Sequence, residues 1–128
     1  VGLFVEGLGP LVANDAYAPR RVWEAFEKDQ YHSPRVVWGR EVNLLLGGLA
    51  NQISAARAGS ASRDTLEAAL RRTLGAVSAS GLQHNELWSY RIEGDTLVPS
   101  RYGTSSDVQL WSSTSLAVQF VLSRLQPD

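Results

Sequence analysis

The chain has 128 residues, the size of one domain, and a net charge of −1, so it lacks the clustered positive charge of a general nucleic-acid footprint. Hydrophobic residues make up 44%, which is enough for a core and too many for a disordered chain. Cysteine is absent, which excludes disulfides and thiolate metal sites, and no apolar run approaches the ~20 residues of a membrane span. Methionine is absent as well and the chain opens on Val1. Its first residues have neither a basic n-region nor a small-residue cleavage site. The expectation is a single unit, 1–128, that is a piece of a longer protein: a processed subunit, a proteolytic product or an ordered fragment.

In chain order, residues 1–18 read as loop, with Gly2, Gly7, Gly9 and Pro10 among apolar residues. Pro19 suits the first turn of a helix that continues through "RRVWEAFEKD", with Val22, Trp23 and Phe26 on one side. Residues 31–40 read as a second loop, because Pro34 pushes Ser33 away from helical angles. From about Glu41 to Ala58 the spacing of Leu45, Leu49, Gln52 or Ile53, and Ala56 predicts a long helix. Leu44, Leu45 and Leu46 are consecutive, so this helix reads as apolar most of the way round and buried, with Gly47 and Gly48 admitting a close neighbour.

Ser62 is the expected cap of the next helix, Arg63 to Ser78, whose stripe is Leu66, Leu70, Thr73 or Leu74, and Val77, and Gly81 suits its end. Residues 82–106 lack helical periodicity, and Gly94-Asp95 between two β-prone runs is a hairpin signal. A last helix, 108–125, is polar and aromatic in its first half and apolar in its second. Alternating buried and surface helices predict a mainly α chain: part of an (α/α) barrel of inner and outer helices, with a short β-hairpin in a long loop. Both decorated loops, 31–40 and 83–107, lead into expected inner helices and would share one face.

Those loops concentrate carboxylates, amides and indoles: Tyr31, His32 and Trp38 in the first, and His84, Asn85, Glu86, Trp88 and Tyr90 in the second. Gln109 and Trp111 open the last helix. This mixture suits a carbohydrate, whose C–H faces stack on aromatic rings and whose hydroxyls need polar partners. His32 and His84 are far apart without a third ligand, and no phosphate-binding glycine loop or nucleophile elbow is present, so neither metal nor cofactor is expected.

The stretch "YHSPRVVWGREVNLLLGGL" resembles the late segment of α/α six-hairpin glycosidases, the group that includes debranching-type α-glucosidases and trehalases. The resemblance rests on Tyr31, the Val37-Trp38 pair and Asn43. A second likeness is "NELWSY" followed by "SSDVQLWSSTSLA", through Glu86, Pro99, Gln109, Trp111 and Ser112. Arg35 departs from the small or apolar residue usual there. The resemblance implies an inverting glycoside hydrolase with Glu86 as general base, activating the water that attacks the anomeric carbon. Tyr31, His32, Trp38, Trp88, Gln109 and Trp111 would then contact the sugar. The partner carboxyl group, ~6.5–9.5 Å away in an inverting pair, would come from the missing N-terminal part of the barrel or from a second chain. The expected partners are thus a carbohydrate substrate and that general-acid half, with no nucleic acid and no membrane. Two other readings use the same residues. A toroidal polysaccharide lyase would employ Tyr31, His32, Tyr90 and Arg91, and a non-catalytic helical interaction module would use none of them.

Overall fold

A computed structural model describes residues 3–13, 17–29, 33–103, 105–106, 119–120 and 122–125. The first element is a minute hairpin, in which β1 (Phe4–Val5) pairs antiparallel with β2 (Gly9–Pro10). Gly7 and Gly9 take φ of 70° and 119°, values that side chains rarely tolerate, and so allow the chain to reverse. The turn drives Leu8 into the core, where it is fully buried. Arg72 fastens the hairpin from outside: its guanidinium pairs with Glu6 and stacks 4.4 Å above the Phe4 ring.

Helix α1 (Arg20–Phe26) begins after Pro19 and buries none of its residues. It is attached at its end, where the Tyr102 hydroxyl donates to the Asp29 carbonyl (2.7 Å) and Arg35 approaches Glu27 (3.4 Å).

Strand β3 (Val37–Trp38) runs directly into α2 (Gly39–Ala55), and a turn through Gly59 leads to α3 (Ala61–Ser80). Ser60, two places before the expected cap, accepts from the Arg63 N–H (3.3 Å), and Gly81 closes α3 with φ 68°. Arg63 and Glu67, one turn apart on α3, are 2.8 Å apart, and this hydrogen bond holds the Glu67 carboxyl below its usual range. After α3 come β4 (Leu87–Glu93) and β5 (Thr96–Arg101), joined by the two-residue turn Gly94-Asp95. Gly94 has φ 61° and no described non-glycine residue has a positive φ, which makes this a type II′ turn. The sheet order is β3-β4-β5, all antiparallel, with Val37 opposite Trp88 and Pro99 opposite Tyr90.

The core joins these layers: Leu8, Val37, Val42, Leu46, Ile53, Leu70, Val77 and Trp88 pack together. Trp88 has 0% exposure and its indole N–H donates to the Leu8 carbonyl (3.0 Å). Leu122 and Leu125 add to the edge of this cluster; of the expected last helix, residues 108–118 and 121 lie outside the described residues.

The expectation of a mainly α barrel is therefore overturned. Among the described residues three helices stand beside two antiparallel sheets, an α+β arrangement. The β-rich run 87–101 does not decorate a loop between helices; it recruits Val37–Trp38 as a third strand and forms a layer of its own. Nor is α2 an enclosed inner helix. Its buried line is Val42, Leu46, Ala50 and Ile53, whereas Leu44 is 59% and Leu45 39% exposed. A Cβ added at Gly47 or Gly48 would meet nothing within 4 Å, so no neighbouring helix among the described residues requires them.

Gly39 is different, since a Cβ there would lie 2.8 Å from the Asn85 carbonyl and 3.3 Å from that of Glu86. Gly39→Ala is expected to destabilise the fold by about 1–3 kcal/mol, because backbone has to move. Gly48→Ala is expected to stabilise it by about 0.5–1 kcal/mol through helix propensity. Urea denaturation of the two variants measures both, and equal effects would contradict the packing described.

Candidate functional site

Glu86 sits where β3, α2 and β4 converge. As the first residue of α2, Gly39 has a backbone N–H without an intrahelical acceptor. The Glu86 carbonyl accepts it (2.9 Å), and the Glu86 N–H donates to the Ser106 carbonyl (3.0 Å). The residue is half-buried and its main chain is pinned on both sides. Among the described residues, no hydrogen bond or ion pair engages its carboxylate.

The neighbours of Glu86 are committed to structure. Asn85 is buried; its side-chain amide donates to the Leu82 carbonyl (3.3 Å), and its Oδ1 accepts from Arg101 Nε (3.0 Å). The Leu87 carbonyl accepts from the Ser105 hydroxyl (2.9 Å), and the Ser89 hydroxyl donates to the Arg35 carbonyl (2.7 Å). Trp88 belongs to the core, so its ring has no face left for a sugar. Residues of the two decorated segments pair as the β3–β4 ladder, Val37–Trp38 against Leu87–Trp88, and do not line the mouth of a barrel.

Trp38 stands opposite Leu87 in that ladder and is half-buried. It lines an open cleft of about 350 Å³ with Leu11, Val12 and Glu41. A smaller cavity, about 140 Å³, lies between α2 and α3; Val42, Leu46, Val77 and Trp88 form its apolar wall, and Gln83 and His84 also line it. His84 thus faces a different recess from Trp38. Of the remaining expected sugar contacts, Tyr31, His32, Gln109 and Trp111 lie outside the described residues. The lyase reading loses convergence, because Tyr90 and Arg91 are consecutive on β4 and point to opposite faces, and Arg91 pairs with Glu93 (3.3 Å).

Leu11 and Val12 were not expected at a site. Leu11 and Val12 fall in the stretch that reads as loop, and they reach Trp38 only because Val12 donates to the Val36 carbonyl (3.0 Å). Among the described residues there is no group of three or more potential metal ligands, and no helix is long and apolar enough to cross a membrane. Comparison of the chain with protein-family models, curated proteins and solved structures finds no match.

Tyr102, just after β5, bonds the end of α1 through the Asp29 carbonyl. Burial pushes its phenol above the ordinary value and the Asp29 carboxylate adds to the rise, while a hydrogen bond with Ser33 opposes it. A raised phenol favours the neutral, donating form in the folded state. Its stabilisation is complete below the unfolded phenol value, about 10, and is lost as pH rises through the folded one. Tyr102→Phe is expected to cost about 1 kcal/mol at neutral pH and to flatten the loss of stability above pH ~10. Thermal melts of both proteins from neutral to alkaline pH check this.

Proposed function

We propose that the chain belongs to a carbohydrate-processing hydrolase and supplies Glu86 as the general base for cleavage of a glycosidic bond. What carries this reading is the contrast at Glu86. Its backbone is fixed by Gly39 and Ser106, while its carboxylate is committed to no described partner. A general base needs that combination, a rigid mount and an oxygen free to take a proton from water. Glycosidic cleavage employs a second carboxyl group as acid, and another chain or segment provides it in this proposal. Trp38 contributes an aromatic surface near this mount, whereas Trp88 contributes stability only. In the complete assembly, Glu86→Gln is expected to lower hydrolysis of α-glucosides by about 10²–10⁴. Activity within a few-fold of the unmodified protein would remove Glu86 from the role.

A second reading has its own support. Leu44 and Leu45 expose apolar surface on α2 beside glycines that meet nothing, which suits a non-catalytic interaction module. On that reading, the double substitution Leu44→Lys, Leu45→Lys leaves the helical content unchanged and converts a larger particle to a 14.0 kDa monomer in solution. Mass measurement of both forms decides it; an unchanged mass rejects the module.

A further inference from the structure

The cleft beside Trp38 has the chemistry of a sugar subsite, and Glu41 gives it a recognition group beyond the indole. We propose that Glu41 is a specificity-determining residue that accepts hydrogen bonds from two adjacent hydroxyls of a pyranose stacked on Trp38. This inference rests on the carbohydrate reading above but not on the role of Glu86. Three observations carry it. The cleft, about 350 Å³, falls within the ~300–1,000 Å³ of typical ligand sites, whereas the cavity at His84, about 140 Å³, does not. Its lining is divided, with Leu11, Val12 and the indole offering an apolar wall and Glu41 a charged acceptor. Pyranoses present the matching pair of surfaces, a C–H face and a fan of hydroxyls.

The third observation is the placement of Glu41. It lies in the first turn of α2, beside the positive end of the helix dipole. About half of its side chain is exposed, and its nearest ion-pair contact, Arg40 Nε, is 4.0 Å away, longer than a hydrogen bond. Its two oxygens retain acceptor capacity toward a ligand. A carboxylate can accept two parallel donors at once, which is the geometry that neighbouring ring hydroxyls present.

Maltotriose titrated into the purified chain tests the proposal, followed by NMR of the tryptophan indole N–H groups. The expected result is saturable movement of the Trp38 signal. Glu41→Gln, at a half-exposed position that tolerates it structurally, is expected to weaken binding about 10-fold or more, the loss expected when a charge-assisted acceptor becomes neutral. No movement of the Trp38 signal, or undiminished affinity in Glu41→Gln, overturns the proposal. Glu86→Gln separates the two readings. If it binds maltotriose as the unmodified chain does and hydrolysis is lost, both stand. If it binds and hydrolysis persists, the role of Glu86 falls and the subsite at Trp38 and Glu41 remains.

Discussion

The contact between the Gly39 N–H and the Glu86 carbonyl holds the molecule together at its least tolerant point. A strand turns into a helix there without a linker, so the first helical N–H points at whatever lies beside the strand. The β4 entry supplies its carbonyl, and the absence of a side chain at residue 39 lets the two backbones meet. Everything near the candidate site follows from this closeness. It sets Trp38 against Leu87 and Val37 against Trp88, and it fixes the peptide that bears Glu86. The indole of Trp88 then extends the junction to the opposite side of the core, reaching the Leu8 carbonyl in the N-terminal hairpin.

How much of this was legible in the sequence depends on how local each signal is. The helix α3 and its Gly81 terminus, and the β4–β5 turn, are written in short-range patterns and form as expected, apart from α3 starting two residues early at Ala61. The helix α2 has the expected period but a different phase. Three consecutive leucines allow several stripes, and the core shared with α3 and Trp88 takes Val42, Leu46 and Ile53 as the inward one, leaving Leu45 outside. Strand β3 and the N-terminal hairpin are two residues per strand, too short for any periodicity to register. Leu8 is buried because a tryptophan far along the chain reaches it, a fact no window around Leu8 contains. The barrel expectation failed for the same reason, since a β-rich run was read as decoration when it pairs with residues distant in sequence.

The candidate site was legible in its chemistry and not in its grouping. The stretch "QHNELWSY" looked like one cluster of functional side chains. Folding distributes it: Asn85 and Trp88 into structure, His84 toward one recess, and Glu86 onto the junction. Strand alternation and burial make that division, and neither follows from residue type. Conversely, Glu41 joins Trp38 because a helix starts between them, which puts a first-turn carboxylate beside the last residue of a strand.

Pro99 has a further effect on how this molecule meets others. It lies within β5, the outer strand of the three-stranded sheet, and has no N–H to offer. A row of backbone donors and acceptors along an outer strand is a template on which a foreign strand can grow, and a proline interrupts the row. The opposite border is β3, only two residues long. Both borders of the sheet are thus poor templates for strand addition.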